Sequence, residues 1–358
     1  MGAIKDLPAL VWPASLKRPV PGPGIVYLDQ NHWISLAQAA TGHGAGRPFV
    51  ETLDACRRAR GCGKALFVLS STHYFETGKI KDPAQRLALA TVMEELTGLN
   101  TIVSRTVIME LELIAMLDYL TGMSTMPTTV PLIGRGVLHA FGLAGSVRIM
   151  GPLGDETASV RDGFGAERFD NYLARAYQNL ERSVLRGPSD DELPELKRNG
   201  WDFEAIVRTA EARATDEAEQ SRRLDEESRW RRGRLIDIVC ARELLIEFKD
   251  TFPRCLDERG LTSDRVMTSP EAARAFLRGM PSSEVAVQLK VAWHRDGAKR
   301  WTVNDIQDID AMSIAVPYCD VVVTDKACHN ALTAARLDER MSTKVLRRLE
   351  ELPAVIGT

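Results

Sequence analysis

The sequence predicts an α/β fold with a parallel sheet. Three short apolar, β-branched runs, near residues 26, 67 and 322, are each followed by a helical pattern. That alternation marks βα units feeding a parallel sheet. The runs are apolar at consecutive positions, as strands covered on both faces are. A block of about 200 residues with mainly helical periodicity separates the second run from the third.

Met1 to Gly24 carries Pro8, Pro13, Pro19, Pro21 and Pro23. Such spacing favours an extended arm, and no apolar core of a signal peptide is present. Gly24 to Asp29 reads as the first strand, ending in an acid, and Asn31 to Ala40 as a helix with Trp33, Ile34, Leu36 and Ala37 on its apolar side. Thr41 to Pro48 is a Gly-rich loop, and Phe49 to Arg60 a second helix stopped by Gly61 and Gly63. Lys64 to Ser71 is the second strand, running into Glu76 at the expected start of a helix. Asp82-Pro83 supplies a cap and a first-turn proline for a helix over 83–96, and 107–120 is helical too. Thr121 to Asp155 is rich in Gly, Thr and Pro and reads as an irregular connection, with a short helix around 137–143.

Helical patterns then cover 166–186, 201–252, 270–278 and 284–293. Asn304 to Ala315 places Ile306, Ile309 and Met312 at helical spacing, and Pro317-Tyr318 ends that helix. Cys319 to Thr324 is a buried strand ending at Asp325, followed by a helix from Lys326 and a last strand and short helix over 343–352. The expected organisation is an arm over 1–23, a sheet domain from 24–80 plus 295–358, and a helical insertion over 81–294 for substrate selection or assembly.

Composition narrows the function. The chain has 358 residues, a length that suggests roughly two domains. Apolar residues make up 44% and charged residues 27%, as in a globular protein. A net charge of -3 excludes a basic coat over the whole chain. The six cysteines form no Cys-x-x-Cys and no zinc spacing, which fits reduced thiols and a cytoplasmic location. No apolar run reaches the ~18 residues that span a bilayer. A P-loop and a His-Glu-x-x-His are both absent, so ATP-driven work and zinc peptidase chemistry have no support.

Acids gather at the ends of the expected strands. Asp29 closes the first, Glu76 follows the second and Asp325 closes the last of the three. Asp305, Asp308 and Asp310 lie at the start of the preceding helix, with Asp305 and Asp308 on one face. Ligands in open α/β sheets collect outside the carboxyl ends of strands. Converging carboxylates raise one another's pKa and usually meet around a hard cation, Mg²⁺ or Mn²⁺. Such ions polarise a phosphodiester and activate water, so the pattern points to metal-assisted phosphodiester hydrolysis.

Tyr27-Leu28-Asp29-Gln30-Asn31, Ser71-x4-Glu76, Asn304-Asp305-x2-Asp308, and Pro317-Tyr318-Cys319-Asp320 running into Val323-Thr324-Asp325 resemble the motifs of PIN-domain ribonucleases. The resemblance covers roughly residues 24–80 and 300–350. It implies a Rossmann-like three-layer α/β/α sandwich and an endoribonuclease dependent on Mg²⁺ or Mn²⁺. Hydrolysis would leave 5′-phosphate and 3′-hydroxyl ends, an activity suited to a toxin or a defence effector. By the same analogy Asp29, Glu76, Asp308 and Asp325 would be the metal-site acids, with Asn31 and Thr324 as polar supports. Asp305 is expected beside them as a further catalytic acid, and Asp305, Asp310 and Asp320 compete for a place in the metal set.

Each feature also has a plainer explanation. Asp29 and Asp325 would serve as helix caps, and Asp305 and Asp308 would favour a helix N-terminus. His32, His73 and His329 would be locally hydrogen-bonded. The arginine-rich stretch from Arg222 to Arg234 would be a solvated face of local ion pairs, or an RNA-facing surface on which Arg229, Trp230 and Arg232 contact substrate. Trp201, Trp230, Trp293 and Trp301 would be base-stacking platforms or packing residues. The competing functional expectations are a DNA or flap nuclease on the same acids, and a non-catalytic binding or assembly module joined to itself or to a protein partner through the helices.

Overall fold

The protein is described here by a computed structural model covering residues 10–19, 22–125, 128–143, 149–152, 154–188 and 203–357, with single residues 191, 194 and 198. The expected strands form. β1 (Gly24–Leu28), β2 (Ala65–Val68), β5 (Val321–Val323) and β6 (Lys344–Leu346) make a parallel sheet in the order β6-β5-β1-β2. β3 (Asn100–Ile102) continues it beyond β2: Leu69 N–H donates to Asn100 O (2.9 Å) and Ile102 N–H to Leu69 O (2.8 Å). β4 (Ile133–Arg135) pairs antiparallel outside β3. β3 and β4 were not expected from the sequence. Each has three residues, too few for alternation to register.

Side-chain alternation divides the sheet between two cores. Ile25, Tyr27 and Val322 pack against α9 (Pro281–Arg295), α10 (Val303–Tyr318) and α11 (Lys326–Ala334) through Leu289, Ile306, Ile309, Met312 and Leu332. Val26, Leu28, Phe67, Val321 and Val323 pack on the other face. There they meet Trp33 and Leu36 of α1 (Gln30–Ala40), Leu53 and Cys56 of α2 (Val50–Gly61), and Leu89 and Met93 of α4 (Pro83–Thr97). Helices on both faces of a parallel sheet make the chain an α/β protein of three layers.

A third core joins Leu113, Met116 and Leu117 of α5 (Arg105–Thr121) to Val239 and Cys240 of α8 (Leu235–Arg242), to Phe248, Phe252 and Phe276, and to Val287 and Val291 of α9. α9 therefore serves the sheet with one side and the helices with the other. α4, β3 and all but the last residue of α9 fall within 81–294, yet they pack on or extend the sheet.

Several boundaries differ from expectation. After α6 (Ala166–Arg186), the long helix over 201–252 is broken: α7 (Phe203–Glu226) stops at Glu227 (φ -120°, ψ 67°), and a short helix Ser228–Gly233 ends at Arg234 (φ -127°, ψ 12°) before α8. The loop before α2 contains a 3-10 helix, Gly44–Phe49. α10 runs through Pro317 instead of stopping at it. The proline lies in the last turn, and Cys319 N–H closes that turn on Ala315 O at 2.9 Å. The described part of the N-terminal arm is docked. Val11 N–H donates to Gly279 O (2.8 Å), Trp12 meets the Tyr318 ring edge-on, and Leu16–Lys17 pairs with Val130–Pro131. No described helix is long and apolar enough to cross a membrane.

Candidate functional site

The sheet order determines where a site belongs. From β1 the chain moves outward to β2 and β3, then returns on the opposite side of β1 to form β5 and β6. The order reverses between β1 and β5, and the crevice beyond their carboxyl ends is the place where such sheets bind ligands. Asp29 and Asp325 stand there. The two strand ends are tied together, Asp29 N–H donating to Val323 O at 2.9 Å.

Both acids also cap a helix, as the plainer explanation expected. Asp29 Oδ1 accepts from Gln30 N–H (2.7 Å) at the head of α1, and Asp325 Oδ1 accepts from Cys328 N–H (2.7 Å) at the head of α11. Each cap uses one carboxylate oxygen, and the Oδ2 atoms make no hydrogen bond among the described residues. Capping and ligand binding are therefore compatible uses of the same side chain.

Glu76 lies on α3 (Ser71–Lys79), not at its start. The helix begins with a capping box in which Ser70 N–H donates to His73 Nδ1 (2.9 Å), while His73 Nε2–H donates to Leu28 O (2.8 Å). That second bond locks α3 to the end of β1 and brings Glu76 into the electrostatic field of Asp29. Gln30 adds another tie, its Nε2 donating to Thr77 Oγ1 at 3.1 Å. Asp308 comes from α10, whose first turn is held by a capping box between Thr302 and Asp305.

Burial and neighbouring charge make Asp29, Glu76 and Asp308 harder to ionise. Burial first, and then the charges of Asp29, Asp325, Glu76 and Asp305, push Asp308 up to about 8. Burial and the Asp29 charge raise Glu76 to about 7, against a downward pull from Lys79. Asp29 rises to about 6 through burial and the Asp325 charge, partly offset by the Gln30 N–H. Neither Glu76 nor Asp308 has a hydrogen-bond or ion-pair partner within 4 Å among the described residues. Unpaired, desolvated carboxylates of this kind are candidates for a functional site.

The competing acids are occupied elsewhere. Asp305 accepts from Thr302 N–H (2.7 Å), Thr302 Oγ1 (2.8 Å) and Lys299 Nζ (2.5 Å), so its carboxylate caps α10 and pairs with a lysine. Its expected catalytic part gains no support from these partners. Asp310 pairs with Arg213 (2.6 Å) and Arg105 (3.2 Å) on another side of α10. Asp320 lies before β5 and binds Arg18 (2.5 Å) and Ile25 N–H (2.7 Å), at the opposite end of the sheet. Thr324 is buried at the end of β5 with its hydroxyl oxygen unsatisfied, and Asn31 is exposed on the first turn of α1.

Arg229, Trp230 and Arg232 lie on the short helix Ser228–Gly233, which packs against α8 and α9. Arg229 pairs with Glu227 (3.1 Å) and Arg232 donates to Ser228 Oγ (3.3 Å). Trp230 is 45% exposed, whereas Trp293 and Trp301 are buried edge-to-face against each other. Trp201 lies outside the described residues. His73 is a satisfied neutral imidazole, lowered by burial to about 4, and Cys328 is a buried thiol raised well above its ordinary range.

Sequence reasoning missed Lys79. Its Nζ donates to Gln307 Oε1 (2.9 Å) and Asn304 Oδ1 (3.4 Å), lies 4.4 Å from the centre of the Phe75 ring, and feels the charges of Glu76 and Asp308. The i,i+3 spacing of Glu76 and Lys79 was the available signal.

A hollow of about 280 Å³ lies among Ser71, Arg105, Phe141, Arg213, Glu247 and Asp310, but its two guanidinium groups already have carboxylate partners. As the side chains stand, no three His, Cys, Asp or Glu among the described residues form a group that could hold a metal ion. Comparison with protein families, with characterised proteins and with solved structures finds no match to this chain.

Proposed function

We propose that the chain is a metal-dependent nuclease acting on RNA, with Asp29, Glu76, Asp308 and Asp325 as its metal-holding acids. One observation carries this reading. Asp29 and Asp325 stand at the switch point of a parallel sheet, their charges and that of Glu76 act on Asp308, and among the described residues no cation pairs with Glu76 or Asp308. The donor set is all oxygen, which suits Mg²⁺ or Mn²⁺. Their ligating arrangement is not ready-made, so binding includes an inward adjustment of the side chains.

When bound, such a cation polarises the phosphodiester and neutralises charge on the leaving oxygen. The residues of the chain do the rest. The free oxygens of Asp29 and Asp325 lie on capped, rigid helix starts. Glu76 and Asp308 come from α3 and α10, whose capping boxes hold their helices in place. The PIN-like resemblance agrees with this order of acids, and Thr324 and Asn31 are polar supports at the same strand end and helix start.

The test is cleavage of single-stranded and structured RNAs in Mn²⁺ by wild type, Asp29→Asn and Asp308→Asn. Loss of several kcal/mol of electrostatic stabilisation corresponds to a fall of about 10²–10³ in rate. Equal cleavage by all three proteins would refute the assignment. DNA substrates run in parallel decide between RNA and DNA, because the 2′-hydroxyl is the discriminating group.

The lack of a ready-made ligand trio favours a second reading, a PIN-like binding module without catalysis. Titration of Mn²⁺ into the wild-type chain separates the two. The nuclease reading expects binding that Asp308→Asn weakens, and the module reading expects none.

A further inference from the structure

We infer that Lys79 is the phosphate contact of the acidic site, a cation held in place but not neutralised, which donates to a phosphate oxygen of a single-stranded RNA. The inference rests on the nuclease reading above.

The argument starts from what Lys79 does not do. A glutamate three residues before a lysine on a helix normally pairs with it. Here Glu76 and Lys79 share α3, yet Lys79 Nζ has no carboxylate oxygen within 4.0 Å among the described residues. Two side-chain amides hold it instead, Gln307 Oε1 at 2.9 Å and Asn304 Oδ1 at 3.4 Å. Amide oxygens orient an ammonium group without cancelling its charge. The Phe75 ring, 4.4 Å away, adds a further neutral restraint.

Its position supplies the rest. Gln307 is adjacent to Asp308 in α10, so the amide that anchors Lys79 belongs to the helix that carries one of the four acids. Lys79 itself is exposed while the acids beside it are partly or largely covered. An incoming polyanion would meet the lysine at the edge of a field of carboxylates that otherwise repels it. A metal bound by the acids and an ammonium bound by amides would then grip different oxygens of the substrate backbone.

The simpler use of a lysine in the last turn of a helix is to offset the helix dipole. Binding measurements distinguish the two. A fluorescein-labelled oligouridine of about twelve nucleotides is titrated with wild type, Lys79→Gln and Lys79→Arg in EDTA at several salt concentrations. Mn²⁺ affinity and thermal melting are measured in parallel.

For Lys79→Gln we expect RNA binding about three- to tenfold weaker and a log K against log salt slope shallower by about 0.7, one phosphate contact on a single strand. Lys79→Arg should keep the wild-type slope, and Mn²⁺ affinity should not fall in either variant. Unchanged affinity and slope in Lys79→Gln would overturn the inference. So would a fall in its Mn²⁺ affinity, which would make Lys79 a support for the carboxylates, or a wild-type chain that binds no RNA. If wild type, Asp29→Asn and Asp308→Asn all cut equally, the nuclease reading fails separately, and the slope still decides the role of Lys79.

Discussion

Two groups of acids lie along α10 and behave in opposite ways. On one side Asp308 feels the charges of Asp29, Asp325 and Glu76, with Lys79 near but in no ion pair among the described residues. On another, Asp310 enters a network in which Glu217, Glu243, Glu247 and Asp310 meet Arg105, Arg213, Arg242 and Lys290. Lys290 contacts Glu243 at 2.8 Å, Glu247 at 3.2 Å and Glu217 at 3.3 Å. Against the upward push of burial, Lys290, Arg105 and Arg213 hold Glu247 well below the usual carboxylate range. Burial acts on both groups. What separates them is the supply of cations from the chain itself. Where arginines and a lysine pair directly with the acids, the network ties α5, α7, α8, α9 and α10 together; beside Asp308 the chain supplies only Lys79, which forms no ion pair among the described residues.

The comparison is most sharply broken by neutralising one acid on each side. Glu243 is fully buried and accepts from Lys290 and Arg105, both at 2.8 Å. Glu243→Gln leaves two buried cations short of a partner, and we expect a loss of about 3–5 kcal/mol of stability, read by urea unfolding. A loss below about 1 kcal/mol would show that the network is hydrated and that pairing does not distinguish the two groups.

Asp308→Asn should act in the other direction, raising stability by about 1–3 kcal/mol at pH 8 because it removes a half-buried charge that has no partner among the described residues. The sign follows from linkage. Asp308 and Glu76 hold their protons in the folded chain up to about 8 and about 7, while the unfolded chain releases them near pH 4. Between those limits the folded state binds more protons, so their contribution to stability declines as pH rises from about 4 to about 8. The variant should flatten that decline. Added Mn²⁺ should raise the wild-type melting temperature more at pH 8 than at pH 5.5, where protons compete for the same oxygens. A variant with wild-type pH dependence would mean that Asp308 is hydrated.

Much of this was legible in the chain. Asp29 and Asp325 were readable because apolar strands in a parallel sheet announce their own ends, and the sheet rule then places those ends together. The choice among Asp305, Asp308 and Asp310 was not readable, because it depends on partners remote in sequence such as Arg213 and on the local cap at Thr302. Periodicity gives the face of a helix, but not what stands opposite. The same limit hid Lys79, whose amide partners Asn304 and Gln307 lie more than 220 residues away. It also hid the short strand Asn100–Ile102, which is defined by its neighbour Leu69 and not by its own sequence.

The smallest expected effects belong to the arginine-rich stretch from Arg222 to Arg234, where the principle of pairing applies again. Arg222 and Arg223 pair with Glu219, Arg231 with Asp225, and Arg229 with Glu227 at 3.1 Å, so much of this positive charge is already answered locally. If RNA reaches this surface, Arg229→Gln should weaken binding less than twofold, since an exposed pair is worth little and must be given up to contact phosphate. Trp230→Ala should cost more, about fivefold, the lower end of what one base stacked on an aromatic ring contributes. Arg232→Gln should fall between them, because Arg232 has a serine hydroxyl and, among the described residues, no carboxylate for a partner. Fluorescence anisotropy with a labelled single-stranded RNA gives the ranking. Three unchanged affinities would remove this surface from any RNA path.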